Sequence, residues 1–359
     1  MPRCFLAVVG VLVFASGCSP RKKLIEWGWD EPDTAFLRRH SREMEKTPFD
    51  GCVFGVRLGE GRGSGSFTWQ FWGSRPFSRA DLAEAFADLG ALQPRRFTEN
   101  FLRVNVTPGD VDWFDDFSAI LTNARLAGEM ARTGQARGVV LDVEQYQGQI
   151  FDYRTRKLAP SRSWDAYAAQ ARLRGREIMS ALQDGYPGLT VFLSFGHSLA
   201  WVLSERGRRP LSEVSYGLLA PFLDGMLEAA HGRTRLVDGY ELSYGFLNAG
   251  QFDEARQLVK TGVKPIVGAP RPYRQRLQLG FGLWLDYDWR RRGWSTQELS
   301  GNYFSPERLE IIVAAALRAS DKYVWIYTET PRWWGSTKPE AQVPDCYVSA
   351  IRRARAAAH

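Results

Sequence analysis

The chain has 359 residues, 44% hydrophobic and 13% aromatic, with 47 Lys and Arg against 40 Asp and Glu. That apolar content excludes an intrinsically disordered chain, and the length leaves ample material for a large core. The positive excess is scattered over pairs such as Arg38-Arg39, Arg208-Arg209 and Arg352-Arg353. Such scatter suits a solvated surface better than a nucleic-acid-binding patch, so no nucleic-acid partner is expected.

In chain order, the first element is the apolar run Phe5–Phe14, which follows Arg3 and precedes Ala15-Ser16-Gly17-Cys18. The run is too short to span a bilayer and reads as the hydrophobic region of a secretion signal. The tetrapeptide resembles the lipobox of bacterial lipoproteins, with Ala15 in place of the usual Leu. The resemblance implies that residues 1–17 are removed and that Cys18 carries the lipid. Residues 18–359 would then form one domain, anchored to a membrane of the bacterial cell envelope and either periplasmic or surface-exposed. An ordinary cleaved signal with a chance Cys is the alternative. Of the other cysteines, Cys52 and Cys346 make no disulfide framework, and the four His residues do not cluster with metal-ligand spacing. Neither a metal nor a cofactor is expected.

Eight strand-type runs follow, at Leu24–Trp29, Gly51–Val56, Phe101–Val106, Gly138–Glu144, Thr190–Gly196, Gly239–Tyr244, Lys264–Ala269 and Tyr323–Glu329. Amphipathic helices separate them, with starts signalled by Asp33, by Ser78 with Asp81, and by Ser305-Pro306. Strictly alternating strands and helices predict parallel βαβ units, and eight of them predict a single (β/α)8 TIM barrel. A doubly wound sheet would place a glycine-rich phosphate loop after its first strand. Here Gly28-Trp29-Asp30-Glu31-Pro32 stands instead. Long loops at Arg57–Phe77, with an extra strand at Phe67–Trp72, at Gln145–Ser163 and at Pro270–Phe304 all follow strands. They should therefore cover the C-terminal face, and the last is rich in Trp and Tyr.

Strand parity separates the barrel interior from the helix-facing side. In Gly138–Glu144 the apolar Val139, Leu141 and Val143 should meet the helices, which turns Asp142 and Glu144 inward. The same reading points Glu26 and Gly28, Arg103 and Asn105, Ser194, Glu241 and Ser243, and Tyr327 and Glu329 into the barrel. Buried carboxylates are costly unless paired, so a structural network with Arg103 neutralising Glu26 or Asp142 competes with a functional site. Crowded carboxylates at strand ends suit the two-group chemistry of glycoside hydrolysis, and crowding keeps one of them protonated. The 13 Trp residues, many of them in loops, supply flat faces on which sugars stack.

Gly138-Val139-Val140-Leu141-Asp142-Val143-Glu144 resembles the strand-four signature D-x-x-D-x-D-x-E of family-18 chitinase-like barrels. The last Asp and the Glu match, while Arg137 and Val140 stand where further acids would be. Leu242-Ser243-Tyr244-Gly245-Phe246 is similar to that superfamily's Met-Thr-Tyr-Asp-Phe, with Gly245 for the Asp, and the strand-three Ser-x-Gly-Gly is absent. The resemblance implies that Glu144 is the acid, that Asp142 is its electrostatic partner, and that Tyr244 touches the reacting sugar. Parity instead turns Glu241 inward, so the two readings differ at Tyr244. The other large group of barrel glycosidases carries a nucleophile on strand seven, where Val267-Gly268-Ala269-Pro270 has no carboxylate. The expected catalytic set is Glu144 and Asp142 with Glu329 or Glu241. The expected sugar contacts are Asn105, His197, Tyr244, Tyr327, Trp289, Trp294 and Trp333. A non-catalytic carbohydrate-binding lipoprotein on the same barrel is the alternative.

Overall fold

The computed structural model describes residues 21–59, 65–335, 338 and 341–358. Cys18 and the lipobox-like segment lie outside the described residues. Nine strands form one all-parallel sheet: β1 (Lys23–Glu26), β2 (Gly51–Phe54), β3 (Phe101–Asn105), β4 (Gly138–Asp142), β5 (Thr190–Leu193), β6 (Arg235–Asp238), β7 (Leu277–Leu279), β8 (Phe281–Trp284) and β9 (Tyr323–Tyr327). β7 and β8 are two halves of one strand, separated by Gly280 alone. β7 pairs with β6 and β8 with β9, and β9 pairs with β1 through Lys23–Tyr323 and Glu26–Ile326. The sheet therefore closes as a (β/α)8 barrel with eight staves. A Cβ at Gly280 would lie 3.0 Å from the Tyr323 carbonyl oxygen, so the break sits where the neighbouring backbone comes close.

The barrel interior is filled by Ile25, Trp27, Val53, Phe101, Val140, Phe192, Val237, Tyr323 and Trp325. The opposite faces of the strands pack on the helices in a second, larger core that holds Leu24, Leu102, Val139, Leu141, Leu236 and Val324. Burying both faces of a parallel sheet requires apolar side chains at both parities, which is why the strands read as near-continuous apolar runs.

Several expectations need correction. Glu26 does not face the interior. Ile25 and Trp27 take the inward positions, with the Trp27 ring 4.5 Å from that of Trp325, and Glu26 is buried on the helix side near Asp30 and Gly28. Phe67–Trp72 is not a strand. Ser66 caps a short helix, Phe67–Gln70, by accepting from the Trp69 N–H, and Phe67 and Phe71 bury together on its inner side. The sixth strand is Arg235–Asp238, ahead of Gly239–Tyr244. There the chain turns through Tyr240 at φ 45°, with the Asp238 carboxylate accepting from the N–H groups of Gly196 and Tyr240. Lys264–Ala269 contains a 3-10 turn at Lys264–Ile266, in keeping with Pro265, which cannot donate to a central ladder. The seventh strand lies inside the stretch Pro270–Phe304, after the helix Pro270–Arg276. Cys52 and Cys346 are free thiols. The basic residues are less scattered than they read. Arg21, Lys23, Arg95, Arg96, Arg352 and Arg355 gather around Asp50 at the N-terminal end of the barrel, in a cavity of about 630 Å³.

Candidate active site

At the opposite end the strands open into a cavity of about 810 Å³. Its first wall comes from β4, whose parity delivers Asp142 and then Glu144 to the mouth as expected. Asp142 is fully buried and held by several donors. Its Oδ1 accepts from the Glu144 N–H at 3.1 Å and lies 3.4 Å from Ser194 Oγ, and its Oδ2 lies 3.5 Å from Arg103 Nη1. Arg103 also pairs with Glu31 at 2.8 Å, so one guanidinium from β3 serves two acids. Glu144 has a different setting. Its carboxylate accepts from the Tyr146 hydroxyl at 2.9 Å and, among the described residues, has no Arg or Lys salt bridge. Burial, reinforced by the charge of Asp142, pushes its carboxyl up to about 7. Burial also raises Asp142, against the pull of Arg103.

The second wall is the turn after β6. Glu241 and Tyr244 both line the cavity, which resolves the two readings of this segment: a 3-10 turn, unlike a strand, can present both. Among the described residues Glu241 Oε2 is buried without a hydrogen-bond partner, and burial together with the charges of Glu144 and Asp142 holds this carboxyl well above the usual range. Ser243 points elsewhere and ties the turn to the Gly282 carbonyl.

β9 forms the third wall. Tyr327 and Glu329 face the cavity, and the Tyr327 hydroxyl lies 3.1 Å from Glu329 Oε1. Glu329 Oε2 accepts from Trp289 Nε1 at 3.0 Å and from Arg290 at 2.6 Å. Glu329 is therefore a paired carboxylate whose partners hold the segment Trp289–Arg292 over the mouth. The true seventh strand ends inward with Trp284, and Asp286 follows. Asp286 is buried and occupied by Trp284 Nε1 and the N–H groups of Glu329 and Thr330, so this strand presents no free carboxylate.

The remaining predicted contacts divide. Trp289 reaches the site through Glu329. Asn105 faces inward on β3 but is fully buried without a hydrogen-bond partner and does not line the cavity. His197 is fully buried on the helix side of the barrel, with Nε2 3.1 Å from Asp224 and its ring against Tyr273. Trp294 packs on Tyr347 of the last helix, Asp345–Ala357. Trp333 meets Phe49 edge-on at 4.7 Å, packs half-buried against the core and does not line the mouth cavity. Besides Tyr327, the aromatics that do line the mouth are Trp27, Trp29, Trp69, Tyr146, Tyr244 and Trp284. Trp29 is 58% exposed and Trp69 38%. The Trp69 ring lies beside Tyr146 at 5.2 Å, with the Arg103 guanidinium 5.1 Å from its centre. Sequence reading missed Trp29, Trp69 and Glu31. The available signal was their position in the segments that follow the C-terminal ends of strands one and two, where mouth residues belong.

Among the described residues, no group of three or more His, Cys, Asp or Glu side chains is placed to hold a metal. No family model matches the chain, and no curated protein matches it. Among solved structures it is similar to a GH113 β-1,4-mannanase, with a TM-score of 0.45 and 10% identity, covering 94% of this chain and 99% of that one. It is also similar to a GH5-4 broad-specificity endoglucanase from Bacteroides salanitronis, with a TM-score of 0.44 and 12% identity, covering 85% of this chain and 92% of that one.

Proposed function

We propose that this protein is a glycoside hydrolase acting on an oligo- or polysaccharide at the barrel mouth, with Glu144 as general acid and Glu241 as the second carboxylate. The observation that carries this reading is the contrast among the mouth acids. Asp142, Glu31 and Glu329 each have an Arg partner, whereas Glu144 and Glu241 face the same cavity with none among the described residues. Two unpaired carboxyls in one cavity can divide the labour: one holds a proton for the leaving oxygen while the other is ionised. Glu144, which titrates near neutrality, is suited to delivering that proton. Burial raises Glu241 as well, so it acts as nucleophile or base in the microstate that has given up its proton, and a pair two staves apart suits retention of configuration. The exposed Trp29 and Trp69 supply flat apolar faces for sugar rings.

The reading extends to the address. A lipid on Cys18 would hold the protein in the bacterial cell envelope. β1 starts at the N-terminal end of the barrel, so such an anchor would leave the mouth turned away from the membrane.

The test is incubation of purified protein with a polysaccharide panel that includes β-1,4-mannan and β-1,4-glucan, scored by new reducing ends. Cleavage is expected from the parent, with turnover at least about 100-fold lower in Glu144→Gln, the usual scale of general acid catalysis. A folded parent that binds sugar and releases no ends would establish the carbohydrate-binding lipoprotein instead.

A further inference from the structure

We propose that the binding site continues from the mouth across Trp29 into a second cavity, so that the ligand is a polysaccharide chain passing through rather than a terminal sugar held in a blind pocket. The inference rests on the reading of the mouth as a carbohydrate site. The second cavity measures about 430 Å³, and its walls include Phe36, Thr330, Arg332 and Trp334. It shares Trp29, Glu31, Pro32, Asp33 and Arg57 with the mouth, so the two spaces meet along one ridge.

Trp29 stands on that ridge. Its N–H donates to the Thr328 carbonyl at 2.9 Å, and the Glu31 N–H donates back to the Gly28 carbonyl at 3.1 Å, which hold the backbone on both sides of it. Trp72, Trp113 and Trp325, by contrast, are buried in the core. A large ring held out between two concave surfaces, on a fixed backbone, can serve as a platform for a ligand that spans both. The surroundings fit a chain of sugars. Aromatic faces from Trp29 and Phe36 can meet the C–H faces of the rings. Arg57, with a side chain 70% exposed, and Asp33 can meet hydroxyls along the edge. A single sugar in the mouth would leave this second space empty, whereas a longer chain would fill both.

Isothermal titration calorimetry on the full-length Glu144→Gln protein tests this, using β-1,4-linked gluco- and manno-oligosaccharides from dimer to hexamer. Affinity is expected to rise by at least about tenfold from the shortest to the longest ligand, a difference of about 1.4 kcal/mol. Adding Phe36→Ala, which touches only the second cavity, should lower affinity for the longest ligand and leave that for the shortest within about twofold. Trp29→Ala should abolish most of the gain with length. An affinity that levels off at the dimer, or a folded Phe36→Ala protein with the parent's length dependence, would overturn the proposal while leaving the carbohydrate reading intact. No binding at any length would overturn both.

Discussion

The hydroxyl of Tyr146 lies 2.9 Å from Oε1 of Glu144 and also 3.2 Å from Oδ2 of Asp142. It carries one proton and cannot donate to both. Asp142 has Arg103, Ser194 and the Glu144 N–H in support, so it is the natural holder of the negative charge. A protonated Glu144 can then donate to the Tyr146 oxygen while Tyr146 donates to Asp142. When Glu144 ionises, the Tyr146 hydroxyl can turn to it, which favours the charged form. Tyr146→Phe should therefore move the alkaline limb of the pH–rate profile upward, because Glu144 loses a donor to its ionised state. An unmoved limb in an active variant would show that Tyr146 does not act on Glu144.

The raised carboxyl of Glu144 also links stability to pH. Its folded value of about 7 lies above the ordinary 4.5, so the folded state binds this proton more tightly than the unfolded state does. The stabilising effect is complete below the unfolded value and is lost as pH rises through the folded one. Glu144→Gln removes the titration. Compared with the parent, it should melt relatively higher at about pH 8 than at about pH 5, as measured by thermal unfolding at both.

The pairing pattern separates Glu241 from Glu329. Glu241→Gln removes an unpaired carboxyl beside Glu144 and should lower turnover by at least about 100-fold. Glu329→Gln breaks a salt bridge to Arg290, which is 61% exposed, and should act mainly on KM by loosening Trp289. Comparable losses of turnover in both variants would make Glu329 a reacting group as well.

Trp333→Ala should reduce stability by about 3 kcal/mol, the scale of truncating a large aromatic in a packed setting, without changing sugar affinity in the folded protein. Urea unfolding and calorimetry read the two effects separately. A loss of affinity at unchanged stability would restore the platform role.

Cys18→Ala should abolish lipid attachment and release the protein from the membrane fraction of an expressing bacterium. Unchanged processing and fractionation would favour the ordinary cleaved signal, leaving the barrel chemistry unaffected.

Local pattern was enough for much of this architecture. The apolar residues Val139, Leu141 and Val143 turned Asp142 and Glu144 inward because a parallel sheet leaves no other place for them. The alternation of strand and helix implied closure of Tyr323–Tyr327 on Lys23–Glu26. Asp33 and Ser305 cap their helices as their positions suggested, since capping is decided within a few residues. Parity failed at Glu26, where both faces of the strand are buried and alternation loses its meaning. It failed again at strands six and seven, where a turn with apolar side chains looks like a strand. Long-range packing settled the rest. Arg103 and Glu31 meet from different staves. Trp29 stands in the open while Trp294 and Trp333 are packed beneath a helix. The burial of a tryptophan depends on what the distant chain lays over it, and the pairing of a carboxylate on which arginine reaches it first. Neither quantity is carried by neighbouring residues.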